Sequence, residues 1–162
     1  MKKKILAISL SVILSVMLLF IIGTQFKKPI PLAEGLHWGM SPLQTTRLLG
    51  DAYEISRNTG DTPNTCYHYR AIILEQEAEI TCFFWKNIML TQIHIRWDGN
   101  TSEIFTQAYN SLYSYYQSDE DFYINTKDDH QISMGIDNGA TGLFYTIKKE
   151  DTSVTIVCVD LH

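Results

Sequence analysis

The sequence predicts an α+β domain. It should be mainly antiparallel β-sheet, in two meanders of about six to eight strands, with two helices packed on one face. An N-terminal transmembrane helix or signal segment should precede it. Three observations lead there: one long uncharged apolar run, two capped segments with helical spacing, and alternating apolar residues almost everywhere else.

The apolar run occupies residues 5–23 of the 162 and follows Lys2, Lys3 and Lys4. As a helix it would be about 28 Å long, close to the hydrocarbon thickness of a bilayer. The lysines should stay in the cytoplasm and send the remainder outside. The run is long for a cleavable signal and lacks an Ala-x-Ala site. Residues 1–28 are therefore read as a signal-anchor, and cleavage near Gly23 to release a secreted protein is the alternative. The first cysteine is Cys66, so no thiol stands near the membrane for lipidation. Pro29 and Pro31 mark 29–35 as a tether, and residues 36–162 as the extracytoplasmic domain.

Charge is divided in the same way. Residues 1–28 hold five of the 13 basic residues and none of the 18 acidic ones. An outer domain this acidic argues against nucleic acid and against anionic lipid.

Within the domain, Ser41-Pro42-Leu43-Gln44 carries a capping box and an N1 proline, and Gly50 closes that short helix. A second helix of about four turns starts at Asn100 or Thr101, with Asn100 and Glu103 as its expected capping box. Ile104, Ala108, Leu112 and Tyr115 recur at helical spacing, and Phe105, Tyr109 and Tyr116 widen the stripe. Asn100-Thr101-Ser102 also matches a glycosylation sequon, which the cap explains without sugar.

The remaining segments alternate. Residues 78–85 and 88–97 read as a hairpin about Lys86-Asn87, pairing Phe84 with Met89, Ile80 with Ile93, and Glu79 with His94 on the polar face. A strand over 70–74 should precede it, turning through Glu75-Gln76-Glu77. Asn138-Gly139 predicts a second hairpin, pairing Met134 with Leu143. A turn at Glu150-Asp151 predicts a third, pairing Tyr145 with Ile156. Residues 52–56 and 122–126 are further strand candidates. The order is helix, strands, helix, strands, without a residue-level repeat.

Leu36-His37-Trp38-Gly39-Met40-Ser41, followed by Leu48-Leu49-Gly50, resembles the opening of small bacterial extracytoplasmic domains. These are the beta-lactamase-inhibitor-protein type and the small outer-membrane-assembly lipoproteins. The resemblance covers about fifteen residues and departs at the missing lipidation cysteine. It implies a bacterial source, an antiparallel meander and protein binding rather than catalysis.

Catalytic motifs are absent: there is no G-x-S-x-G, Walker, Rossmann, HExxH or EF-hand pattern. No Cys/His spacing suits zinc, and no cofactor is expected. Cys66 and His68 fall on one strand face, which would suit a thiol nucleophile and base in an unrecognised hydrolase. Three cysteines allow at most one internal disulfide, for which Cys66–Cys82 is the expected pair. Cys158 reads as core. Asp119-Glu120-Asp121 and Asp128-Asp129-His130 read as solvated turns rather than a cation site. Tyr109, Tyr113 and Tyr116 form a candidate interface ridge on the second helix. On packing grounds Tyr109 and Tyr116 should face the sheet, leaving Tyr113 exposed.

The function expected from all this is a membrane-anchored, non-catalytic module. It would meet an unknown protein or envelope partner outside the cell.

Overall fold

A computed structural model describes residues 29–58, 64–137, 139 and 142–161. The expected signal-anchor lies outside them. Among the described residues no helix is long and apolar enough to cross a membrane.

The described chain is α+β. Helix α1 spans Pro42–Leu49, and strands β1 Glu54–Asn58, β2 Asn64–Ile73, β3 Gln76–Trp85 and β4 Met89–Asp98 follow. Helix α2 spans Thr101–Tyr116, and β5 Phe122–Lys127, β6 Gln131–Asp137, β7 Gly142–Lys149 and β8 Ser153–Leu161 complete the fold. All eight strands form one antiparallel sheet in the order β1-β2-β3-β4-β8-β7-β6-β5. Two four-stranded meanders therefore meet where β4 pairs with β8.

Both helices lie on one face. Ile104, Phe105, Ala108, Leu112 and Tyr116 of α2 share one core with Ile132, Met134, Ile136, Leu143, Tyr145, Ile147, Val154, Ile156 and Cys158 of the sheet. Fully burying each large apolar side chain contributes about 1.5–3 kcal/mol as an upper figure. The Tyr116 and Tyr145 hydroxyls meet at 2.5 Å, which satisfies two phenols that burial holds protonated. On the other half, the Thr46 hydroxyl of α1 bonds Tyr69 of β2 at 3.2 Å.

The capping box of α1 forms as expected: the Ser41 hydroxyl accepts from the Gln44 amide, and the Gln44 side chain accepts from the Ser41 amide. Gly50 takes φ +85°, and its amide donates to the Thr46 carbonyl. The expected box on α2 does not form. Asn100 is left-handed, with φ 37° and no side-chain cap bond, and its amide group donates to the Glu103 carboxylate instead. Gly99, at φ +79°, already turns the chain there.

The stretch 29–35, expected as a tether, is packed. Ile30, Leu32 and Ala33 are buried in the core with Leu36 and Trp38. Pro29 bridges His37, and the Gly39 amide donates to the Leu90 carbonyl. Apolar residues flanking the prolines make this a strap under the sheet, because burying them outweighs the freedom they would keep in solvent.

Every expected hairpin exists, and each turn lies further along the chain or differs in length from the sequence reading. Met134 faces Tyr145 rather than Leu143, and Tyr145 faces Cys158 rather than Ile156. The second of these turns holds Asp151 and Thr152, since the Glu150 amide donates to the Ser153 carbonyl. Asn138 of the other turn lies outside the described residues. Strand β2 is longer than expected, and Leu74-Glu75 makes the turn into β3, both with positive φ. In the two C-terminal hairpins the shift is two residues in the pairing, so every side chain there keeps its face.

The β3–β4 hairpin differs more. Ile80 faces Ile95 and Phe84 faces Leu90, with a register shift between Phe83 and Phe84 that leaves Thr91 without a direct partner. Leu90 and Ile93 are three apart, yet both are fully buried. A regular strand cannot bury both on one face, and the extra residue of a bulge permits it. Glu79 consequently faces Arg96 rather than His94, and His94 faces Thr81.

Candidate functional site on the open face of the sheet

With both helices on one side, the opposite face of the sheet has no covering layer among the described residues. Alternation and register determine what it displays. One row crosses all eight strands: Ser56, Cys66, Phe83, Gln92, Val159, Phe144, Gly135 and Tyr123 are successive cross-strand partners. The next row runs Glu54, His68, Thr81, His94, Val157, Thr146, Ser133 and Thr126. Most central members are half-buried by their neighbours rather than sealed. A third row brings Arg70, Glu79 and Arg96 together.

The apolar members of the first row form two stretches on either side of Gln92: Cys66 and Phe83, and Val159, Phe144 and Tyr123 across Gly135. Phe83 packs on the His94 ring at 4.6 Å between centroids. Tyr123 meets Phe144 edge-on at 6.3 Å and lies over Gly135, whose missing side chain leaves it room. Val157 and Val159 join the two halves in the middle of the sheet.

The polar part is held in place by hydrogen bonds. His68 Nε2 stands 3.2 Å from the Ser56 hydroxyl, and Nδ1 stands 3.1 Å from that of Thr81. His94 Nε2 contacts the Gln92 amide, and burial holds its pKa below the ordinary imidazole value. In the third row the Tyr53 hydroxyl donates to Glu79, which pushes the Tyr53 phenol up to about 12. The Arg70 guanidinium stands over the Tyr53 ring at 5.2 Å, and Arg96 pairs with Asp98 at 3.2 Å.

Cys66 and His68 do share this face, as the alternation implied. The thiol is nevertheless buried, and burial raises its pKa against the opposing hydrogen bond from Ser56. Both His68 nitrogens already face hydroxyls. A thiolate nucleophile needs the opposite setting, a lowered pKa and a free base.

The Cys66–Cys82 disulfide is not formed, and all three cysteines are free. The cross-strand partner of Cys66 is Phe83, the residue after Cys82. Successive residues point to opposite faces, so Cys66 lies on the open face and Cys82 in the core.

The three helix tyrosines do not make a single exposed ridge. Tyr116 is buried, Tyr109 packs partly on the core, and Tyr113 is 36% exposed. The Tyr109 ring stacks on Tyr113 at 5.5 Å and carries the Lys127 ammonium at 4.1 Å. The acidic clusters form turns: the Asp128 carboxylate accepts the His130 and Gln131 amides, which lowers its pKa, and Asp119 accepts the Asp121 amide. No group of three metal-ligating side chains occurs among the described residues.

Sequence reasoning missed the open-face row itself. The signal was present in β8, where Val157 and Val159 alternate with Ile156 and Cys158. A strand apolar on both faces is central, and something must shield its second face.

The chain matches no protein-family model, no curated protein and no solved structure.

Proposed function

We propose that this chain is a membrane-anchored, non-catalytic binding module displayed outside the cytoplasm. The open face of the sheet is its contact surface, and the partner is a protein or another envelope component. One observation supports this most: Phe83, Val159, Phe144 and Tyr123 stand in a single row on a face that has no covering layer among the described residues. Aromatic and aliphatic side chains displayed side by side, as Val159, Phe144 and Tyr123 are, suit a partner's buried core. The neighbouring rows add polar His68, Thr81 and Arg96 beside it.

The leader supports the location. Three lysines and an uncharged run of bilayer length would hold the domain on the far side of a membrane.

A photo-crosslinking amino acid at Phe144, in the full chain and in its native cells, tests the surface. One discrete adduct, weakened by Phe83→Asp and absent when the crosslinker stands at exposed Asn110 on α2, is the expected result. Equal adducts from both positions would remove the open face from the argument. The mass of the membrane-bound chain should include residues 1–28, and a soluble product beginning near Gly23 would mean secretion.

A further inference from the structure

The end of the sheet where the chain enters the domain is unlike the other end. Pro29 lines a hollow of about 220 Å³ with Tyr115, Tyr116, Asp119 and Ile136. The register places the starts of β2, β4 and β7, the ends of β3, β6 and β8, and the turn at 86–88 at that same end. Four large apolar side chains are exposed there: Trp85 at 39%, Ile88 at 59%, Leu161 at 57% and Tyr115 at 52%. Trp85, Met89 and Leu161 also line a second hollow of about 300 Å³. The Lys86 ammonium stands over the Trp85 ring at 4.3 Å. At the opposite end the turns carry Glu75, Asp98, Asp128, Asp129, Glu150 and Asp151.

We infer that this entry end docks on the lipid surface, with Trp85, Ile88, Leu161 and Tyr115 reaching into the headgroup region. The inference rests on the anchor reading above. Only five residues separate the apolar run from Pro29, and fully extended they span under about 20 Å. Because Ile30, Leu32, Ala33 and Leu36 are packed in the core, no longer tether lets the domain rise from the bilayer. The end it must hold near the lipid is the end that exposes tryptophan, tyrosine and aliphatic side chains. Indole and phenol rings settle at the headgroup level, where an apolar body and a polar edge are both satisfied. Lys86 extends from the same turn, and its ammonium over the indole face stands where headgroup phosphates would lie. Asp119, Glu120, Asp121 and Asp137 also lie at this end. They oppose anionic lipid, so the contact is with a zwitterionic surface and is driven by apolar burial.

The protein contains its own probe. Trp38 and Trp97 are 3% and 1% exposed, which leaves Trp85 as the accessible indole. The full chain is reconstituted in phosphatidylcholine vesicles with and without bromine on the acyl chains. A roughly twofold loss of the Trp85 emission in brominated vesicles is expected for an indole at the interface. Trp85→Phe should abolish that loss. Ile72→Trp, at a position exposed near the acidic end, should show none in the Trp85→Phe background. If the chain resists alkaline carbonate extraction but Trp85 is unquenched, or positions 72 and 85 are quenched alike, the docking is wrong and the anchor stands. If carbonate releases the chain from the vesicles, the anchor reading fails and the docking with it.

Discussion

Tyr123 lies across Gly135 on the open face, so close that a Cβ on Gly135 would stand 2.8 Å from the tyrosine hydroxyl and 3.0 Å from the Leu143 carbonyl oxygen. The ring occupies the space a side chain would take on the neighbouring strand. Gly135→Ala should therefore cost about 1–3 kcal/mol through forced shifts. Tyr123→Ala in the same chain should recover part of the loss but not the clash with Leu143. Denaturant unfolding of the two single variants and the double variant measures the coupling. Additive effects would mean that the ring does not lie over the glycine.

The bulge at Thr91 makes Leu90 core and leaves its neighbour Met89 only partly covered. Leu90→Ala should cost about 2–5 kcal/mol, and Met89→Ala clearly less. A regular hairpin would reverse that order. Comparing their thermal midpoints decides between the two registers.

Cys66 and Cys82 cannot bridge while they lie on opposite faces. Denaturation without reductant should expose three alkylatable thiols, and dithiothreitol should leave the stability unchanged. A chain that gains one alkyl group instead of three would contradict the register of β2 and β3.

His94 introduces a pH dependence. Burial keeps its folded pKa below the ordinary imidazole value. Between those two values the unfolded chain binds a proton that the folded chain refuses, so stability rises with pH there. The contribution is complete above about pH 6.5 and declines below it, by at most about 1.4 kcal/mol per pH unit for one group. Unfolding at pH 7 and pH 5 should show a smaller difference in His94→Gln than in the parent. Equal differences would assign the effect elsewhere.

Composition and periodicity by themselves determined the α+β class, the two helices and the core face of every hairpin in the C-terminal half. A face depends only on a period of two, which local sequence carries. The capped start of α1 was equally legible, because Ser41, Pro42 and Gln44 act within a single turn. Register was not, since a two-residue slip preserves every face and only turn geometry opposes it. Leu74-Glu75 and Lys86-Asn87 adopt positive φ without a glycine to announce it. The packed strap at 29–35, the edge-to-edge joining of β4 with β8 and the row from Ser56 to Tyr123 belong to the tertiary structure alone. Each unites residues distant in the chain, and burial shared between distant segments leaves no local period to read.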